Sequence, residues 1–339
     1  MKMGKIKFNW PLVGNRHIIE FLAKSISNNK ITGSYIFTGP DNLGKTTVAN
    51  YFARSLICQD TTKGILPCGI CPSCQQAKKG IHGDITLIKK DKDKKNISIE
   101  QIRDFIRTLG LSSFLNSYKI GIIKHAESLS LEAFNALLKT LEEPKIKVVI
   151  ILITADREAL PPTIISRSQI LRFYPVANDV IYDYLIKQYG ASRSAAKNFS
   201  RLCLGRPALA VKFFEDKDFL ENYKNRVNAL LNFFNGDLNE RLAIIEQLIG
   251  KEVRGQESVK LTIRLIEICQ GLIRDLMLVE FNQADLIQHQ LFEKELNRVS
   301  SKFNLAKLLA LASLLKQAKE FIKFNVNPKL VLENVAFNI

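Results

Sequence analysis

The segment from Gly39 to Thr46 carries the clearest chemical motif in the chain. It fits the pattern G-x-x-x-x-G-K-[ST], follows the apolar run Tyr35 to Phe37 and precedes a helical pattern. In such a loop the backbone N–H groups surround phosphates, the lysine reaches the β- and γ-phosphates, and the hydroxyl ligates Mg²⁺. The segment predicts a site for ATP or ADP with Mg²⁺, formed by Gly39, Asn42, Gly44, Lys45, Thr46 and Thr47.

Nucleotide hydrolysis needs a further group, a carboxylate that holds Mg²⁺ at the end of a neighbouring strand. The candidate strand runs from Lys119 to Ile123, and Lys124 and His125 follow it where an acidic pair would stand. A protonated lysine cannot ligate Mg²⁺, and histidine is a poor ligand for a hard cation. Glu127 lies two residues further along, and we expect its side chain to point elsewhere. The sequence thus predicts nucleotide binding without efficient turnover.

A cluster of cysteines follows the helical pattern after the glycine-rich loop. Cys68, Cys71 and Cys74 form C-x-x-C-x-x-C, and Cys58 precedes them. Four thiolates at these spacings suit tetrahedral Zn²⁺. An iron–sulfur cluster is a weaker interpretation, because such runs usually carry another cysteine just downstream, and four unligated thiols are a third. No general base lies nearby in the sequence, so the predicted zinc site is structural.

Composition and charge limit the class of protein. The chain has 339 residues, of which 46% are hydrophobic and 24% charged, as in ordinary globular proteins. Its 49 basic and 33 acidic residues leave a net charge of +16, which suits a polyanionic partner and equally a solvated basic surface. The basic run 89–95 is expected to be a solvated loop, and the isolated Cys203 and Cys269 are expected in the core.

Compartment is predicted from what the sequence lacks. No segment approaches the roughly 18 apolar residues of a membrane span, and residues 1–11 have no apolar core of a secretory signal. The cysteines show no disulfide framework, which favours a reducing compartment. We therefore expect a cytoplasmic protein without membrane contact.

The elements that position these motifs alternate in the first half of the chain. Strands are expected at 34–38, 84–88, 119–123, 148–153 and 169–173, with helices at 15–28, 45–57, 98–109 and 129–141. This order predicts an α/β fold with a parallel sheet covered on both faces. After Pro175 only helices are expected, at 179–189, 193–204, 206–214, 217–235, 237–251, 255–281, 286–298 and 303–323.

Two further segments give the chain a family resemblance. They are Asn135 to Pro144, with the sequence NALLKTLEEP, and Leu160 to Ser168, with the sequence LPPTIISRS. Together with the phosphate loop and the cysteine insertion, they resemble the clamp-loader subunits of bacterial DNA polymerase III, which belong to the AAA+ class. The resemblance is close over about residues 10–215 and rests only on helical character beyond them.

The resemblance implies three domains and several residue roles. It implies an AAA+ nucleotide-binding domain at 1–175 with a zinc insertion at 58–76, a helical lid domain at 176–215, and a helical collar for oligomerisation at 216–339. Val13 and Gly14 resemble the segment that contacts adenine, and Thr154 falls near the first sensor position. Arg167 matches the arginine finger, which completes the nucleotide site of a neighbouring subunit.

Two departures from the family pattern separate its subunit types. Lys124 and His125 replace the acidic pair, and Ala208 stands where the motor subunit carries a sensor arginine. The resemblance therefore implies the non-hydrolysing stator, delta-prime, in a hetero-oligomer with gamma/tau and delta subunits, acting with the sliding clamp and primed DNA as part of the polymerase holoenzyme. The alternatives are a gamma/tau-type motor and, in another class, a zinc-containing DNA-binding protein, for which no helix-turn-helix is evident.

Overall fold

The computed structural model describes residues 6–60, 64–91, 96–113, 117–143, 147–250, 255–324 and 326–339. Its strands are β1 Lys7–Phe8, β2 Ser34–Thr38, β3 Ile65–Leu66, β4 Ile85–Ile88, β5 Lys119–Lys124, β6 Val148–Thr154 and β7 Gln169–Arg172. Its α-helices are α1 Arg16–Ser27, α2 Lys45–Leu56, α3 Pro72–Lys79, α4 Ile99–Gly110, α5 Leu131–Glu142, α6 Pro162–Ile165, α7 Asn178–Tyr189, α8 Arg193–Leu202, α9 Pro207–Glu215, α10 Lys217–Asn235, α11 Leu238–Ile249, α12 Gly255–Glu280, α13 Glu293–Ser300, α14 Leu305–Lys323 and α15 Pro328–Phe337. None of these helices is long and apolar enough to span a bilayer.

Five strands form one parallel sheet in the order β4-β5-β6-β2-β7. In β2, Tyr35 and Phe37 face a core with α1 and α2, whereas Ile36 faces a second core with α4 and α5. Every residue of β2 and β6 is buried, as in central strands covered by helices on both faces. The predicted α/β fold with its parallel sheet is confirmed. Its parallel strands bring the ends of β2, β5 and β6 to one edge of the sheet.

Local signals placed most element boundaries correctly. Ser98 and Gln101 form a capping box where a helix was expected to begin: the Ser98 hydroxyl accepts from the Gln101 N–H, and the Gln101 side chain accepts from the Ser98 N–H. Each bond satisfies an N–H that the first helical turn leaves unpaired. The sequence analysis missed the short parallel pair β1–β3, helix α3 and the terminal helix α15.

The helix predicted at 286–298 was wrong in its first half. Residues Ala284–Leu286 and Gln290–Phe292 form separate 3₁₀ turns, and the α-helix begins only at Glu293. Asp275, fully buried on α12, accepts hydrogen bonds from the backbone N–H groups of Gln288 and His289, at 2.9 Å each. Because these bonds satisfy the two N–H groups outside a helix, the segment stays irregular.

The chain divides into two compact units, residues 1–180 with 205–208, and residues 181–204 with 209–339. In the second unit, helices α10 to α15 surround a large apolar core, so the predicted all-α C-terminal region is confirmed. The predicted boundaries at 175 and 215 stay predictions. Several predicted features fall partly outside the described residues: the cysteine insertion at 61–63, the basic run at 92–95, the family motif at Pro144 and the helix expected at 237–251 at its last residue.

Candidate functional site

The glycine-rich loop connects β2 to α2 in the arrangement that phosphate binding requires. Gly44 is the N-cap of α2 with φ 87°, and it offers no side chain to the first turn. The N–H groups of that turn are therefore open to an anion. Thr46 and Thr47 lie in this turn and are half-buried. Asn42, at φ 65°, also takes the left-handed conformation that turns the loop back.

Gly39 allows the loop to run close to the end of β7. Its φ is 134°, and a Cβ atom built there would lie 2.3 Å from the backbone oxygen of Phe173. Only glycine fits such an approach. This backbone contact fixes the start of the loop, and the phosphate site is therefore shaped by tertiary packing as well as by the motif.

Lys45 lies inside the loop that it belongs to. Its side chain is 5% exposed, and its Nζ donates to the backbone oxygens of Gly39 and Pro40, the latter at 2.9 Å. Asp41 lies 3.5 Å from the same ammonium group. Burial lowers the pKa of Lys45 below its ordinary value, although Asp41 and Glu127 oppose the shift. The lysine is positioned to exchange these loop carbonyls for phosphate oxygens.

The end of β5 lies beside this loop and carries a cation. Lys124 ends β5, and His125 follows in the left-handed conformation at φ 54°. A 3₁₀ turn at Ala126–Ser128 then reverses the chain, with the Ser128 N–H donating to the His125 oxygen at 2.8 Å. The strand end therefore presents Lys124 and His125 at the positions of the acidic pair.

The expectation that Glu127 points elsewhere was wrong. Its carboxylate lies 3.3 Å from His125 Nδ1, and it is close enough to Lys45 to act on the pKa of that lysine. Burial acts to raise the pKa of Glu127, but hydrogen bonding from His125 and Thr154 outweighs it and lowers the pKa. The left-handed His125 is the physical reason, because it turns the chain so that residues 125 and 127 share one side. No local sequence signal marks that conformation.

Thr154 ends β6, fully buried beside the same loop. Its hydroxyl donates to the Asp156 oxygen at 2.8 Å and accepts from the Asp156 N–H at 3.1 Å. The Glu127 carboxylate lies near this hydroxyl, with its Oε2 buried and without a hydrogen-bond partner. The residue predicted as first sensor is thus brought to the phosphate loop.

The segment with Val13 and Gly14 packs against the chain that follows β7. Gly14 has φ 69°, and a Cβ atom there would lie 2.7 Å from the Val176 side chain. Asn15, which the sequence analysis did not single out, fixes this contact, because its side chain bonds to both the N–H and the oxygen of Tyr174, at 2.8 and 2.9 Å. Val13 is half-buried beside this contact.

The segment at Ala208 also reaches the phosphate loop. The Ala208 N–H donates to the Asn42 oxygen at 3.1 Å. A backbone contact therefore stands at the position where the resemblance implies an arginine in the motor subunit. The alanine side chain at residue 208 carries no positive charge.

These groups fit a nucleotide's phosphates better than they fit its metal. The open N–H groups of α2, the lysine and the glycine-rich turn all suit phosphate. For Mg²⁺, Thr46 supplies a hydroxyl, but Lys124 and His125 supply no carboxylate at the end of β5. The arrangement can bind phosphate without the carboxylate pair that hydrolysis uses.

The four predicted metal ligands come together. The Sγ atoms of Cys58, Cys68, Cys71 and Cys74 all lie within 4.8 Å of one another, and two of them, in Cys68 and Cys74, are 3.9 Å apart. Sulfur ligands of tetrahedral Zn²⁺ at 2.3 Å are about 3.8 Å apart. The chemistry and spacing of the four sulfurs therefore fit zinc.

Backbone groups support the sulfur atoms. The N–H groups of Cys68, Cys71 and Cys74 point at the preceding cysteine sulfurs, each at 3.4 Å. Burial acts to raise the pKa of Cys71, but N–H groups, that of Cys74 foremost, outweigh it and lower the pKa to about 7. At Cys71 such bonds stabilise the thiolate, the form that ligates metal. Burial instead raises the pKa of Cys58 and of Cys74.

Arg167 lies just after α6, half-exposed. Its guanidinium donates to the Thr163 oxygen at 2.9 Å and pairs with Glu142 of α5 at 2.7 Å. Ser168 bonds to the Ile164 oxygen at 3.0 Å and to Ser34 at 2.7 Å, so it anchors the segment to the sheet. The arginine is not brought to the chain's own phosphate loop.

Comparison with known proteins finds a family match over the first half of the chain. The family described as "DNA polymerase III, delta subunit" matches residues 14–177, the part that carries the phosphate loop, the cysteines and Arg167. Over this region the chain is similar to the clamp-loader subunits of DNA polymerase III. The resemblance found in the sequence is confirmed at this level.

Relatives in this family carry several subunit names. The chain is 36% identical over 169 residues to the tau subunit of Escherichia coli, which covers 50% of this chain and 25% of that protein. It is 34% identical over 172 residues to the delta-prime subunit of Bacillus subtilis, which covers 50% of this chain and 51% of that protein. It therefore spans only a quarter to a half of the length of these relatives.

A solved structure supports the fold over almost the whole chain. A gamma-subunit-related protein of DNA polymerase III from Thermotoga maritima superposes with a TM-score of 0.50 at 18% identity, covering 95% of this chain and 97% of that protein. At this identity the likeness concerns the fold alone.

Proposed function

We propose that this clamp-loader subunit is a delta-prime stator, which helps an ATP-driven loader place a sliding clamp on primed DNA without hydrolysing ATP itself. The observation that carries the proposal is the cationic strand end. Lys124 and His125 stand beside the phosphate loop where a motor subunit needs carboxylates for Mg²⁺. The partners proposed with it are the gamma/tau and delta subunits, in a cytoplasmic hetero-oligomer.

The proposed contribution of the chain to catalysis is Arg167. A half-exposed guanidinium away from its own phosphate loop can contact a nucleotide only on another subunit. There its planar fork would stabilise charge on the transferring phosphate. In the free chain the guanidinium pairs with Glu142, and this pair must open before Arg167 reaches a neighbour.

The proposed ligands have different roles. Zn²⁺ on the four cysteines would hold the insertion in shape without taking part in chemistry. ATP or ADP in the loop of residues 39–46 would stabilise the domain by mass action. Residues 13, 14, 42, 46, 47 and 154 are proposed to complete that nucleotide site.

A turnover assay on the full chain tests the proposal. We expect no steady-state ATPase above background, with or without primed DNA. The control is Lys45→Ala, which removes the phosphate-loop lysine. Turnover of about one per second or faster that disappears in Lys45→Ala would instead support a gamma/tau-type motor, the second candidate, which the tau and gamma relatives favour.

A further inference from the structure

Glu127 places a negative charge inside the proposed nucleotide site. One oxygen of its carboxylate lies 3.3 Å from His125 Nδ1, and the other is buried without a hydrogen-bond partner. The carboxylate is also close enough to Thr154 and Lys45 for each to interact with it. These three groups belong to three elements, the turn after β5, the end of β6 and the start of α2. The carboxylate therefore lies where they converge.

The position of Glu127 is held by the backbone. Ala126 is fully buried, and the Ser128 N–H donates to the left-handed His125 at 2.8 Å. The Glu127 side chain is 22% exposed, whereas that of Asp41, the other acid beside Lys45, is 57% exposed. Asp41 can rotate towards solvent when an anion enters, but Glu127 is far more restricted.

The groups around Glu127 belong to the outer part of a phosphate site. The lysine of such a loop reaches the β- and γ-phosphates, whereas the backbone N–H groups of the loop and of the helix N-terminus hold the inner phosphates. A carboxylate near Lys45 and Thr154 competes with the outermost phosphate and leaves the backbone cradle open. The carboxylate and the outermost phosphate are both negative, and two like charges held near one ammonium group and partly shielded from water repel strongly.

We propose that Glu127 acts as a resident anion in place of the third phosphate, so that this site prefers a nucleoside diphosphate to a triphosphate. The inference rests on the nucleotide binding proposed above. It makes the loop a holder of ADP in a subunit that does not need to hydrolyse ATP. If the carboxylate were instead a ligand for Mg²⁺, its removal would weaken the binding of Mg²⁺-ATP, whereas a resident anion predicts that its removal strengthens ATP binding.

Calorimetric titration of the full chain with ADP and with ATP tests the preference. Each titration is done with Mg²⁺ and again with EDTA. We expect ADP to bind about tenfold more tightly than ATP in both conditions, a difference in the range of one charge interaction near a protein surface. Glu127→Gln should tighten ATP binding until the two affinities agree within about threefold. Glu132→Gln, on the exposed first turn of α5, is the matched control and should keep the wild-type ratio.

Several results would overturn the inference. One is equal or tighter binding of ATP by the wild-type chain, which needs no variant and so does not depend on how Glu127→Gln folds. Weaker binding of Mg²⁺-ATP by Glu127→Gln, with no change in EDTA, would assign the carboxylate to the metal. If neither nucleotide bound with a dissociation constant below about 1 mM, the loop would not be a nucleotide site and the inference would fail. None of these results tests the stator role, which is tested separately with the Arg167 variants.

Discussion

His125 and Glu127 form an ion pair beside the phosphate loop. The hydrogen bond to Glu127 raises the pKa of His125 above its usual value, against the opposing effect of burial. The same contact contributes to the lowered pKa of Glu127. The pair contributes to stability below the unfolded histidine pKa of about 6.5, and this contribution disappears as the pH rises through the folded value. It also disappears in acid, as the pH falls through the lowered carboxyl pKa.

We predict that the pKa of His125 is above 6.5 and falls in Glu127→Gln, because the neutral amide no longer stabilises the imidazolium. Titration of the ring protons by NMR measures it, since the chain has only 4 histidines. His125→Asn assigns the resonance, and Glu132→Gln should leave it unmoved. An identical titration curve in Glu127→Gln would show that the two side chains do not interact in solution.

At the scale of elements, the cysteine insertion has little apolar core of its own. It contains strand β3 of 2 residues and helix α3 of 8 residues. Cys71 caps α3 through its sulfur, which accepts from the Cys74 N–H at 3.4 Å. Elements this short are marginal in isolation, so we expect a metal on the four cysteines to help fix them.

We predict about one zinc per chain by elemental analysis of protein purified without chelator, because the four sulfurs form a closed tetrahedral set. Cys68→Ser should lose most of the metal. Cys269→Ser, at a buried cysteine of α12 far along the chain, should keep it. Less than about a fifth of a zinc per chain, with four thiols titratable in the native protein, would contradict the metal site.

In the second unit, one buried carboxylate organises an irregular connection. Asp275 on α12 bonds to His289 Nδ1 at 2.7 Å, in addition to the N–H groups of Gln288 and His289. The other ring nitrogen of His289 bonds to the Tyr223 hydroxyl of α10 at 2.8 Å. The network fixes residues 284–292 between two helices.

We predict that Asp275→Ala destabilises the chain by about 3–5 kcal/mol, because it leaves buried N–H groups and an imidazole without their acceptor. Urea unfolding followed by circular dichroism measures the change. Asp285→Ala, at an exposed residue in the same segment, should cost less than about 0.5 kcal/mol. Equal effects of the two substitutions would mean that the buried network contributes nothing specific.

At the scale of the whole molecule, the proposed function depends on surfaces that other subunits complete. Arg167 is held by Thr163 and Glu142 at the surface. An exposed ion pair of this kind contributes only about 0–1 kcal/mol. A neighbouring phosphate can therefore displace Glu142 at small cost, and the pair keeps the guanidinium ordered until then.

We predict that Arg167→Ala leaves folding and zinc content unchanged but lowers the ATPase and clamp loading of a reconstituted loader. An arginine finger contributes on the order of a thousandfold at the site it serves, and the whole-complex loss is smaller because other sites keep their own fingers. Arg167→Lys should not restore the ATPase activity or the clamp loading, since an ammonium group lacks the planar fork of a guanidinium. Arg157→Ala, at another arginine, in the loop after β6, is the control. Full activity of Arg167→Ala in both assays would show that Arg167 is not an arginine finger.

The sequence by itself determined the features that depend on neighbouring residues. The sheet strands, the phosphate loop and the grouping of four cysteines were all predicted, because each is a pattern within about a dozen residues or a motif with fixed chemistry. The sequence also showed that residues 124 and 125 are not carboxylates, because they lie at the end of a strand that its apolar run predicts.

Only the tertiary structure decided the contacts that join distant segments. A left-handed His125 turned Glu127 into the phosphate site, Asp275 broke a predicted helix by binding residues 288 and 289, and Glu142 paired with Arg167. None of these pairings follows from hydrophobic periodicity, because a side chain's partner depends on how packed elements meet. The strand order β4-β5-β6-β2-β7 is the same kind of outcome, and it is what brings Lys45, Thr154 and Glu127 together.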